Sequence, residues 1–143
     1  MPGIDVTMAE AMSVPGARGA TIVDWTCGFA LDSAGEAPRG GVEVMAGDTA
    51  ELARIVWESA VFSAEDQSEP GDGDGVDAPA VEDVIVTTAS SYHLIRFVPE
   101  ALDGGVFVHL WLDREAGNLA LARRRLQALA EELAQPFAAL GSR

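Results

Sequence analysis

Lysine is missing altogether from this chain of 143 residues, whose nine basic residues are all arginine. Its absence removes the phosphate-binding loop that ends in Lys-Ser or Lys-Thr, together with every Schiff-base mechanism. The chain is therefore not itself a conventional GTPase or ATPase. Cysteine occurs once, as Cys27, and histidine twice, as His93 and His109. An intrachain disulfide and a thiolate-rich zinc site are both excluded. No apolar run approaches the ~18 consecutive residues of a membrane span. No basic N-terminal region followed by an apolar core marks a signal peptide. The expectation is a cytoplasmic protein without membrane insertion. Positive charge is scarce overall: the formal net charge is -14, which opposes phosphate backbones and anionic lipid, so nucleic acid is not an expected partner.

What the chain does have is apolar patterning. With 48% hydrophobic residues, it suits one domain, and a domain of this size hides roughly 70% of the surface its unfolded chain exposes. The clearest stretch runs from Val81 to Leu133. Val81 to Ala89, Tyr92 to Val98 and Val106 to Leu112 are crowded with β-branched and aromatic residues, and Ser90-Ser91 and Pro99 to Gly105 separate them as turns would. This predicts an antiparallel meander. Asp113 stands where a helix N-cap belongs, with Glu115 in the first turn. Leu119, Ala122, Leu126, Leu129 and Leu133 then form one apolar stripe, and Arg123, Arg124, Gln127 and Glu131 are left for solvent.

Upstream, Asp5 is placed to cap a short helix carrying Ile4, Met8 and Met12, which Val14-Pro15-Gly16 would end. Ala20 to Trp25 and Phe29 to Leu31 read as a hairpin around Thr26-Cys27-Gly28. Ser33 to Gly41 reads as a loop. Asp48 and Glu51 have the form of a capping box that would open a second helix. That helix, from Leu52 to Phe62, is apolar over more than one stripe. Leu52, Ile55, Val56 and Ser59 point one way, while Ala53, Trp57, Ala60 and Val61 widen the patch. Either it sinks deeply into its own core or it packs against a second copy of the chain, and the patch width favours the second.

The segment from Glu65 to Ala80 is acidic, with Gly and Pro and no basic residue, and predicts a flexible loop. Its Asp72-Gly73-Asp74-Gly75 run lacks the oxygen donor that a calcium loop would need where Val76 stands. Pro136 is expected to stop the last helix, leaving a tail over 135–143. The ordered core should span about residues 4–134 in a single domain.

The order is therefore helix, hairpin, helix, three-stranded meander, helix. This gives a three-layer α/β arrangement, a five-stranded mainly antiparallel sheet with helices on both faces. In this order the chain resembles the Roadblock/dynein light chain family of longin-like folds, and its small bacterial members in particular. The resemblance lies in Val23-Asp24-Trp25 with Gly28, in Val81 to Thr88, in Tyr92 to Arg96, in Leu112-Asp113-Arg114-Glu115 and in Asn118 to Arg123. It covers about Ile4 to Leu133. It implies a homodimer in which the second helices pack together and the third strands join into one sheet. It also implies a non-enzymatic regulator or scaffold for a small Ras-like GTPase. On this chain the dimer contacts would be Leu52, Ile55, Val56, Ser59, Phe62, Val84 and Val86, with Arg54 and Arg124 as candidate partner contacts. The acidic stretch is longer than the family's usual link between second helix and third strand.

No residue is assigned to catalysis, to a metal or to a cofactor. His93 and His109 would lie nearly opposite each other in a hairpin folded about residue 101. A metal would need a third donor, and Asp113, the nearest of the right parity, is wanted as a cap. Two imidazoles hydrogen-bonded between sheet and helix are the expectation. Ser90, Ser91 and Asp83 supply raw material for a hydrolase, but no nucleophile elbow presents a serine. The Arg123-Arg124-Arg125 cluster reads first as a solvated face pairing with nearby glutamates. The alternative function is a self-contained dimeric scaffold or small-ligand-sensing domain without a GTPase partner.

Overall fold

In a computed structural model of the chain, residues 2–62, 81–98 and 105–141 are described. The elements are α1 (Pro2–Met12), β1 (Ala17–Asp24), β2 (Phe29–Gly35), α2 (Val42–Glu58), β3 (Asp83–Thr87), β4 (Ser91–Phe97), β5 (Val106–Asp113) and α3 (Leu119–Gly141), with one 3-10 turn over Ala60–Phe62. The five strands form one sheet in the order β2-β1-β5-β4-β3, and every adjacent pair is antiparallel. The acidic segment at 65–80 lies outside the described residues.

The helices divide between the two faces. On one face Met8, Ala11 and Val14 from the α1 side and Ala122, Leu126, Leu129, Ala130 and Leu133 of α3 pack on Ala20, Ile22, Leu94, Val108, Leu110 and Leu112. On the other, Ala46, Ala50 and Ala53 of α2 meet Val23, Trp25, Ile95, Phe97 and Phe107. Alanine at these spacings keeps α2 close to the sheet. β5, central and covered on both faces, is buried from Val106 to Leu110, which is why it reads as a continuous apolar run and not as an alternation.

Several element boundaries differ from expectation, each for a local reason. α2 begins at Val42 and not at Asp48; Gly41 precedes it with φ 94° and no side-chain cap. The extra turns bury Met45 and Ala46, and burial of that kind outweighs a missing cap bond. Asp48 is exposed within the helix. Likewise α3 begins at Leu119, where Asn118 Oδ1 accepts the Leu121 N–H at 3.0 Å. Asp113 instead accepts from Glu115 N at 3.1 Å and Ala116 N at 2.7 Å, so it caps a turn before the helix. That turn folds tightly onto the sheet end. A Cβ on Gly117 would stand 2.5 Å from the Asp113 carbonyl oxygen, and one on Gly16 2.5 Å from Gly117 Cα. Only glycine fits such a meeting of backbones.

α1 starts at Pro2, which places Asp5 inside it and not at its cap. β2 continues to Gly35 because Ser33, Ala34 and Gly35 pair with Thr21, Ala20 and Gly19; the first part of the expected loop is strand. α3 passes through Pro136 to Gly141, replacing the start of the expected tail at 135–143. A proline forfeits its own backbone donor, and the ladder resumes after it.

Candidate interaction surface

At 100° per residue, α2 presents three kinds of surface. Its inner line is the alanine stripe. Arg54, on one flank, donates through Nη2 to the Trp25 carbonyl at 3.0 Å and so ties α2 to the end of β1. That bond uses one of the guanidinium's five N–H donors within the chain. Leu52 and Val56 lie on the other flank. Both are half-buried, and Leu52 packs against the α2-side core, as do Trp57 and Val84. Trp57 closes that core, with its ring 5.9 Å from Trp25 and 4.9 Å from Phe97.

The outward line of α2 runs Val44, Asp48, Glu51, Ile55, so two exposed carboxylates separate two exposed apolar side chains, and the apolar exposure gathers at the C-terminal end. Ile55 is 65% exposed and Val44, three turns earlier on the same line, is 50% exposed; Phe62, just past the helix, is 48% exposed. Ser59, half-buried, ends the helix, its N–H donating to the Val56 carbonyl. Ile55, with Val61 and Phe62 in the turn that follows, gives the C-terminal end of α2 exposed apolar side chains of the kind that mark contact surfaces.

Among the described residues β3 is an edge of the sheet and pairs only with β4, Val84 opposite Ile95 and Val86 opposite His93. Val86 is 39% exposed. The start of this edge is anchored: Arg123 of α3 donates from Nε to Asp83 Oδ2 at 2.9 Å and from Nη2 to Oδ1 at 3.3 Å. The bidentate bond and the carboxylate's charge hold the Arg123 guanidinium pKa above its ordinary value. Sequence patterns do not announce this pairing, because a contact between distant segments leaves no periodic trace. Arg124, one residue on, is exposed, and no ion pair engages it among the described residues.

The histidines are neighbours on the α2 side of the sheet, but diagonally so. His93 is opposite Trp111 and His109 opposite Ile95. His93 Nδ1 and His109 Nε2 stand 3.0 Å apart, so the imidazoles bond to each other and not between sheet and helix. His109 is buried, and burial, then the charge of His93, lowers its pKa to about 3. Burial lowers that of His93 as well. Trp111 lies parallel to His93 at 6.0 Å, with the Arg18 guanidinium 3.9 Å over the indole. Among the described residues no three His, Cys, Asp or Glu side chains group as metal ligands. Ser91 Oγ is bonded to Thr88 Oγ1 in the β3–β4 turn. The surface offers a partner apolar contact and backbone pairing.

This architecture is the Roadblock/LC7 fold, a five-stranded antiparallel sheet between one helix and two. A Roadblock/LC7 domain from Streptomyces avermitilis superposes with a TM-score of 0.68 at 19% identity, covering 94% of this chain and 96% of that one. Myxococcus xanthus MglB superposes with a TM-score of 0.72 at 17% identity, over 97% of this chain and 90% of that chain. The gliding protein MglB of Thermus thermophilus gives 0.69 at 18% identity, over 94% and 87%. No protein-family model and no curated protein matches the sequence. No helix among the described residues is long and apolar enough to cross a membrane.

Proposed function

We propose that this chain is a non-enzymatic cytoplasmic regulator or scaffold that works as a homodimer and binds a small Ras-like GTPase. The carrying observation is that exposed apolar side chains at the C-terminal end of α2, Ile55 with Phe62 just past the helix, and the β3 edge occur in one chain. Ile55, Phe62 and Val86 provide the exposed contacts, and Leu52, Val56, Ser59 and Val84 support them from the half-buried flank. Pairing of two β3 edges satisfies backbone groups that a monomer leaves to water, and it removes an aggregation-prone edge. Similarity in fold to MglB, including the gliding protein, supports a regulatory reading and is an argument by analogy. Arg124 remains available for a partner.

The test combines mass and capture. Light scattering should give a dimer for the native chain and a monomer for Ile55→Asp, with circular dichroism unchanged because Ile55 is exposed. Lysate pull-downs with GDP and with a non-hydrolysable GTP analogue should enrich a small GTPase in one nucleotide state, and Ile55→Asp should lose it. A native monomer, or equal capture of other proteins in both states, would sink the proposal. The alternative, a ligand-sensing scaffold, rests on a cleft of about 570 Å³ lined by Phe29, Ala30, Asp32, Val42 and Glu43; native mass spectrometry retaining a small molecule would favour it.

A further inference from the structure

On the α3 side of the sheet, where β3 begins, a cleft of about 220 Å³ is lined by Glu82, Arg96, Ala120, Arg123, Arg124 and Gln127. α2 lies on the opposite face, so contacts made through α2 leave this cleft open. Three guanidiniums gather here against two carboxylates, Glu82 and Asp83. Among the described residues one positive charge is left over there, on a chain whose formal charge is -14.

The arginines are not equally engaged. Arg123 spends Nε and Nη2 on Asp83. Arg96, its side chain only 13% exposed, holds Nη1 3.9 Å from Glu82 Oε1 and 4.0 Å from Asp83 Oδ2, both beyond hydrogen-bond length. Its Nε is buried with no hydrogen-bond partner among the described residues. A guanidinium stays protonated in proteins and has no acceptor of its own, so that N–H calls for an acceptor such as an oxyanion. Arg124 brings a guanidinium without an ion pair to the same cleft, and Gln127 brings an amide. Ala120, also in the lining, contributes only a methyl group.

We propose that this cleft binds one small oxyanion, a phosphate or a single carboxylate, with Arg96 and Arg124 as charged donors and Gln127 as a neutral one. The fit rests on three things: an orphan buried donor, one surplus positive charge, and a space suited to a few heavy atoms. Guanidinium forks favour planar and tetrahedral oxyanions over halides, because two parallel N–H groups can meet two oxygens. The bound anion would bridge α3 to β4 beside the anchored start of β3.

Arginine Nε–H resonances of the full chain provide the test. The protein would be titrated with inorganic phosphate in one series and with acetate in another, against sodium chloride at matched ionic strength. A saturable shift of the Arg96 Nε–H with phosphate or acetate is the expected result. Which anion saturates first distinguishes a free phosphate from a carboxylate. Arg124→Gln, at an exposed position, should weaken binding at least tenfold, and Arg125→Gln, outside the cleft, should leave it unchanged. A drift that matches chloride in both series, or saturation indifferent to Arg124→Gln, would overturn the assignment.

Discussion

At the scale of single residues, the histidine pair makes the sharpest demand. Both native pKa values lie below the ordinary 6.5, His109 at about 3, so the folded chain keeps the pair neutral while the unfolded chain takes up protons as pH falls through 6.5. More protons on the unfolded state mean lower stability at lower pH. The contribution is full above the unfolded pKa and is lost as acid is added. For His109 the loss from pH 6.5 to 5 is about 2 kcal/mol, at 1.36 kcal/mol per pH unit. Urea unfolding at several pH values should show that slope, and His109→Gln should reduce it to the part that His93 contributes, whatever that variant does to stability at neutral pH. Phe107 is the second test at this scale. Fully buried in the α2-side core and edge-on to Phe97, it should cost roughly 3–5 kcal/mol when cut to alanine, read as a lower denaturation midpoint.

At the scale of elements, the caps can be tested against one another. Asn118→Ala removes an acceptor from the start of α3 and should cost about 1 kcal/mol. Asp48→Ala, at an exposed position within α2, should change stability by no more than about 0.5 kcal/mol. The reverse ranking would restore the helix starts expected from sequence. Cap signatures misplace those starts because they are local, whereas a helix extends as far as burial rewards it. Met45 and Ala46 draw α2 backward, and the Gly117 turn holds α3 off. The strands are more legible. β-Branched runs broken by Ser90-Ser91 and by Pro99 to Gly105 mark β4 and β5 to within one residue and β3 to within two at each end, and the stripe from Leu119 to Leu133 marks the buried face of α3. The widened apolar patch on α2 is legible as well, but not its division between the core and the outside: Leu52 and Val84 partly serve the former, Ile55 and Phe62 face the latter. Contacts between distant segments leave no pattern to read. Arg54 on the Trp25 carbonyl, Arg123 on Asp83 and the diagonal offset of the two imidazoles all depend on tertiary placement.

At the scale of the whole molecule, charge opposes the proposed assembly. Two copies bring a formal -14 each, and like charges within a Debye length repel less as salt rises. The dimer should therefore tighten between about 20 and 500 mM sodium chloride, as sedimentation equilibrium would record; an association that weakens with salt would mean that ion pairs, and not the apolar side chains at the end of α2, hold the copies together. The strand order has a further consequence, for how the chain comes to fold. β1–β2 and β3–β4 are each neighbours in sequence, but the two pairs meet only through β5, the last strand to be made. On the ribosome, the chain ahead of Val106 can form α1, two separate hairpins and α2 between them, with no centre to join. Each hairpin then waits with one apolar flank uncovered until Val106 to Asp113 emerge and close the sheet from the middle. Such late, long-range closure slows folding and leaves the nascent chain open to aggregation and to chaperones.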